Sequence, residues 1–194
     1  MSAARDRWLD EGLTVLEEDG AAGVRIDRLA ARLGLSKGSF HHHFAGANGF
    51  KKELLDHVES RMTGLLEQAV DFARDEPSAR RIFARLLEQI ATSDGEFFRP
   101  RLETALRAWA LTDTDAARTQ ARIDDSRLEV LRALWRRVTD DEEEVHLGAL
   151  LPYVIGLGAT VVMPPLSRED VGKLYERILP LVPDDLPRNH DTPA

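Results

Sequence analysis

The chain contains no cysteine. Disulfides, thiolate metal sites and cysteine nucleophiles are thereby excluded, and the composition fits a reducing compartment, with the cytoplasm as the expected location. No leader is expected: the N-terminal MSAARDRWLDEG is charged and has none of the apolar core of a secretory signal. The longest apolar run, Ala149–Met163, falls short of the roughly 20 residues a bilayer demands and is interrupted by Pro152. It reads as a buried or subunit-facing helix, and no membrane association is expected. Sustained two-residue alternation is missing, as is any Asn-Gly type turn between β-branched runs, so strands are not expected. There is no nucleophile elbow, phosphate loop or His-Glu-x-x-His pair. Gly156-Leu157-Gly158 is no dinucleotide fingerprint, because no strand precedes it. The pattern therefore predicts neither an enzyme nor a cofactor.

What is present is helical throughout. At 194 residues the chain can bury a core without staples. Leu9, Leu13 and Leu16 place a first helix over about 4–19, with Gly20 as a left-handed end. Two short helices follow, over about 26–33 and 36–43, and a long one begins near Asn48. Further on, Asp113 or Thr114 is a candidate cap, the acidic run Asp140–Glu144 suits a helix start, and Ser167-Arg168-Glu169-Asp170 has the form of a cap for the last helix. The expected class is all-α.

Net charge is −8, with 26 Lys+Arg against 34 Asp+Glu. That sum disfavours nucleic acid, but distribution matters more. The stretch Arg28–Lys52 holds Arg28, Arg32, Lys37, Lys51 and Lys52 against no acid. Within it lies the spacing of a helix-turn-helix. Ala30 is small where two helices cross, Gly34 tolerates positive φ in the turn, Leu35 tucks beneath it, and Ser36 is a strong N-cap. Phe40 and Phe44 form the inner face of the second helix, opposite Leu29 and Leu33. Its outer face carries Ser36, Lys37, Gly38, Ser39, His41 and His42, small or hydrogen-bonding groups near a helix N-terminus that can enter a major groove. Lys37 can reach a guanine edge or a phosphate, and Arg25, Arg28 and Lys51 lie where phosphates would pass. A helical corner with a solvated polar face is the alternative for the spacing alone. The triplet His41-His42-His43 does not suggest a metal site, because successive helical residues diverge by about 100°.

The run Leu29-Ala30-Ala31-Arg32-Leu33-Gly34-Leu35-Ser36-Lys37-Gly38-Ser39-Phe40-His41-His42-His43-Phe44 resembles the signature of the TetR family of repressors, over about residues 5–60. Three positions depart from the family pattern. Arg25 stands where a capping Thr is frequent, His41 replaces a frequent Tyr, and Ala47 replaces a phosphate-contacting Lys that Lys51 could replace from one turn on. The C-terminal half matches only in helix count and length.

The resemblance implies a homodimer that binds palindromic double-stranded DNA as a ligand-responsive repressor. It implies a DNA-binding head over 1–47 and a helical ligand-binding and dimerisation domain over 48–182, with 183–194 as a disordered tail. Dimerisation through the last two helices would use Leu147, Leu151, Val154, Ile155, Gly158, Leu174 and Ile178. The small residues from Gly148 to Gly158 suit close helix approach, within or between chains. A pocket for a small apolar or aromatic effector would draw on Phe97, Phe98, Leu102, Leu106, Trp109, Trp135 and Tyr153, for which ordinary core is the alternative. A regulator without an effector, and a helical module with a vestigial head, are the competing functions.

Overall fold

The computed structural model describes residues 3–183 except 77 and 93–98, and excludes the side chains of 65–75 and 86–92. Phe97 and Phe98, and the expected tail from 184 on, lie outside the described residues. Those residues form nine α-helices and no strand. They are α1 (Ala3–Asp19), α2 (Ile26–Leu33), α3 (Lys37–His43), α4 (Gly46–Asp75), α5 (Ala79–Thr92), α6 (Pro100–Ala110), α7 (Thr114–Trp135), α8 (Glu142–Val161) and α9 (Arg168–Ile178).

Helix starts follow local chemistry. Asp113 accepts from the backbone N–H of Asp115 at 2.9 Å and of Ala116 at 3.0 Å, which satisfies two free donors of α7. Asp141 does the same for Glu143 and Glu144 ahead of α8, and Ser167 accepts from Asp170 N–H ahead of α9. One expectation needs correction. Gly20 has φ 71 but ψ −174, so α1 does not end in a left-handed cap. The chain instead takes an extended, glycine-only conformation into a short 3-10 turn, Ala21–Gly23.

The chain divides into two compact units. The first comprises residues up to Met62 together with Pro100–Ile123. Its core gathers Trp8, Leu13 and Leu16 of α1, Leu29 of α2, Phe40 of α3, Leu54 and Val58 of α4, and Leu102 and Leu106 of α6, all buried. Four aromatic rings lock it. Phe40 stands edge-on to Trp8 at 5.3 Å between centroids, 5.1 Å from Phe44 and 5.3 Å from Phe50. Phe44 and Phe50 meet edge-to-face at 4.9 Å. Such pairs add about 0.5–1.5 kcal/mol each beyond burial, and their geometry fixes ring direction.

The second unit comprises Thr63–Arg99 and the residues from Asp124 on. Ile82 and Phe83 of α5, Leu134 and Trp135 of α7, and Val145 and Ala149 of α8 form one cluster, with Val182. A smaller one joins Ala159 to Val171 and Tyr175 of α9. Two glycines of α8 are spent inside this unit. A β-carbon on Gly148 would collide with the Trp135 ring, and one on Gly156 would lie 2.6 Å from Tyr175 Oη. Gly158, by contrast, faces open space. Tyr175 Oη donates to the Pro152 carbonyl at 3.1 Å, which ties α9 to α8.

The apolar run seen in the sequence is only the later part of α8. The helix starts at Glu142 and has 20 residues, long and apolar enough to cross a membrane by length and composition, with a third of its apolar window (33%) buried. Its first turn is Glu142-Glu143-Glu144.

Candidate nucleic-acid interface

The turn between α2 and α3 is built as its residue types require. Ala30 is buried at the crossing. Gly34 adopts φ 66 and ψ 29, the left-handed conformation that costs a side-chain-bearing residue most. Its N–H and that of Leu35 return to carbonyls of the last turn of α2, Leu35 to Ala30 at 2.9 Å. Ser36 is extended, and its Oγ accepts from Ser39 N–H at 3.2 Å. With Phe40 and Phe44 anchored inward, Ser36, Lys37, Gly38, His41 and His42 are exposed, while Ser39 is half-buried. Arg25 precedes α2 without a side-chain capping bond, as expected of an Arg in that place.

The electrostatics of the head differ from its local sequence. In the acid-free stretch Arg28–Lys52, Arg28, Arg32, Lys37 and Lys51 are paired with acids from outside it. Arg28 pairs with Asp19, and Arg32 with both Glu11 and Glu18. Lys37 Nζ lies 2.7 Å from Asp27 Oδ1, both groups on the surface. Lys51, expected beside phosphate, is half-buried and held by Asp113 at 2.9 Å and Asp115 at 2.7 Å. These pairs leave their mark on ionisation. Hydrogen bonding from Lys37, then its charge, draws the Asp27 carboxyl below its usual range, with Arg25 contributing. Hydrogen bonds that Lys51 donates to Asp115 and Asp113 push its ammonium up. Asp113 is lowered first by the Ala116 N–H that it caps and then by Lys51.

Asp19, Asp27, Asp113 and Asp115 escaped sequence reasoning as parts of this surface. Asp27 was the most accessible of them: it opens α2, ten residues before the lysine that opens α3, and a tight turn brings those two ends together. Asp113 and Asp115 are separated from Lys51 by more than sixty residues, and no periodicity links them.

The candidate pocket residues fall in different places. Leu102 and Leu106 are packed in the first unit's core, with Trp109 partly buried against it. Trp135 belongs to the second unit, edge-on to Phe83 at 6.2 Å, and Tyr153 is half-buried on α8. Trp135 lines a recess of about 190 Å³ with Phe83, Leu147, Leu151, Tyr175 and Leu181. Of the candidate dimer residues, Leu147, Leu151, Val154 and Leu174 are exposed, and Ile155, Gly158 and Ile178 are half-buried. Val161, Val162 and Met163 extend the exposed apolar surface at the end of α8.

Residues 9–58 match the family described as bacterial regulatory proteins, tetR family. The transcriptional regulator AcuR of Cereibacter sphaeroides is 32% identical over 89 residues, 45% of this chain and 41% of that protein. The chain thus aligns with about two fifths of that relative's length. Solved structures extend the likeness in fold. A TetR-family transcriptional regulator from Streptomyces coelicolor superposes with a TM-score of 0.75 at 20% identity, covering 93% of this chain and 90% of that one. A protein from Saccharomonospora viridis, solved in complex with choline, gives 0.75 at 17% identity over 93% and 97%.

Proposed function

We propose that the chain, whose residues 9–58 match the tetR family of bacterial regulatory proteins, is a regulator of that family: a cytoplasmic, homodimeric repressor that releases palindromic operator DNA when a small effector binds. One observation carries the reading: an exposed Ser36-Lys37-Gly38 face at the start of α3, held rigid from behind by Phe40 in the aromatic core. Gly38 leaves room for the duplex backbone or base edges, Lys37 supplies a cation at the groove, and Arg25, Arg28, His41 and His42 flank it as donors to phosphate. Ser36, Ser39 and Lys51 complete the proposed contact set.

Two such heads must sit about 34–36 Å apart to meet successive major grooves. The exposed apolar residues of α8 and α9 support a second copy as the means. Leu147, Leu151, Val154 and Leu174, with Ile155, Gly158 and Ile178, form the proposed interface. A helix this apolar and only a third buried needs a cover, and its triple-glutamate start disfavours a bilayer as that cover. Residues 1–47 act as the reading head and 48–182 as the dimerisation and effector body.

An apolar or aromatic effector suits the surroundings of Trp135 in the second unit, and a relative in fold solved with choline supports a small-molecule ligand. Effector release is a shift between dimer states: the ligand must bind the non-operator state more tightly. The testing experiment is selection of bound fragments from genomic DNA at defined salt. An enriched palindrome is expected, and Lys37→Glu is expected to abolish it. Enrichment unchanged in that variant would remove α3 from the role of recognition helix.

A further inference from the structure

We propose that α8 packs antiparallel on the α8 of a second copy, about a two-fold axis at Val154, with Leu151 of each subunit filling the space beside Gly158 of the other. This register rests on the homodimer reading above and specifies its contacts. From Leu147 to its end at Val161, α8 carries no charged residue. Only Leu147, Leu151, Val154 and Val161 are exposed along that stretch. A helix apolar on every side needs a cover on the face its own chain leaves open. Among the described residues nine large hydrophobic side chains are exposed, and eight of them lie between Leu147 and Leu181. Their exposed parts together present several hundred Å², the order of the ~800 Å² that each partner of a stable complex buries.

Spacing sets the geometry. With Gly158, the open positions of α8 are 147, 151, 154, 158 and 161, separated by four, three, four and three residues. That alternation keeps one stripe against a second helix crossing at about 20°. It also reads nearly the same in both directions from Val154. Leu147 and Val161 stand seven residues to either side, Leu151 three before and Gly158 four after. A two-fold axis at Val154 therefore sets Val154 against itself, Leu147 against Val161 of the other copy, and Leu151 against Gly158 of the other copy. The last pair is large against small. A β-carbon on Gly158 would meet nothing within 4 Å, whereas the same position on Gly148 and Gly156 is occupied by Trp135 and Tyr175. The small size of Gly158 thus serves no contact in its own subunit, although a glycine inside a helix costs stability relative to alanine. A leucine from the second copy gives it a role. Parallel pairing would instead leave Gly158 facing Gly158 across a void. It would also bring the two Glu142-Glu143-Glu144 starts together, like charge against like. Antiparallel pairing sends those starts to opposite ends.

The absence of cysteine makes the register testable in the full-length protein, because each single-cysteine variant carries one thiol. With an oxidant or a short bismaleimide, Val154→Cys is expected to link mostly into dimer. Leu147→Cys is not, since its two copies would stand about 20 Å apart along the helices. Mixed Leu151→Cys and Gly158→Cys chains should link to each other more than either links to itself. Sedimentation gives a second measure. Gly158→Leu is expected to raise the dimer dissociation constant at least about ten-fold by overpacking. Adding Leu151→Ala should recover most of that loss, although Leu151→Ala alone weakens the dimer. The cysteine variants carry the test if the leucine variant does not fold. Self-linking at Leu147→Cys, no linking at Val154→Cys, a Gly158→Leu dimer of wild-type strength, or a double variant no stronger than Gly158→Leu overturns the register. Wild-type protein that sediments as a monomer overturns the homodimer reading itself, a distinct result.

Discussion

Gly12 of α1 and Phe50 of α4 touch so closely that a β-carbon on Gly12 would stand 2.9 Å from Phe50 Cζ. The same atom would lie 3.1 Å from a methyl of Leu54. Phe50 cannot retreat, because it is already packed against Phe40 and Phe44. Gly12→Val is therefore expected to destabilise the first unit by about 1–3 kcal/mol through overpacking. Urea unfolding of the two proteins measures this, and a wild-type midpoint in the variant would mean that the α1–α4 contact has slack.

The clasp of Lys51 on Asp113 and Asp115 gives a pH-dependent contribution to stability. The carboxyls sit below their ordinary value of 3.8 in the folded protein, so their contribution is present above that value and fades as pH falls through the folded one. Lys51 is raised above 10.5, so its share is full below 10.5 and fades as pH rises beyond its folded value. Lys51→Met should melt at a lower temperature than wild type at neutral pH, and the gap should close in strong acid. A gap of constant size down to pH ~2 would show that the loss is one of packing rather than charge.

The exposed face of α8 should govern assembly. Val154 is 57% exposed and Leu151 42%, so charging them leaves the subunit core intact while placing carboxylates in the proposed interface. Val154→Glu with Leu151→Glu is expected to sediment as a folded monomer and to lose cooperative operator binding. A dimer unchanged in sedimentation would move the interface elsewhere.

Tyr175 is buried, and burial pushes its phenol up to about 12. Because the folded value is raised, its contribution to stability holds below pH 10 and is lost as pH rises toward the folded value. Ultraviolet titration of the native protein should show one of its two tyrosines ionising near that value. Tyr175→Phe removes the donor to Pro152 and is expected to cost about 0.5–1.5 kcal/mol. Native titration of both phenols near pH 10 would place Tyr175 at the surface.

Much of this is legible in the amino-acid sequence. Leu9, Leu13 and Leu16 recur at helical spacing because one face of α1 meets a core, and all three are buried. Gly34 and Ser36 declare the turn between α2 and α3 because each serves a backbone requirement only a few atoms away. The start of α8 was legible for the same reason, in Asp141 and the glutamates after it. Gly148 was not: its small size suggested helix approach, but nothing local could say that its neighbour is Trp135 of the same chain.

The sequence by itself determined the helical class, the recognition corner and the identity of the side chains on its outer face. All of these follow from spacing of 3.6 residues and from capping chemistry within one turn. Only the tertiary structure decided where the charge of that corner goes. Arg28, Arg32, Lys37 and Lys51 form a run without acids along the chain, yet each faces a carboxylate in space. Ion pairs form wherever the fold brings opposite charges within a few ångströms, and that separation bears no relation to distance along the sequence.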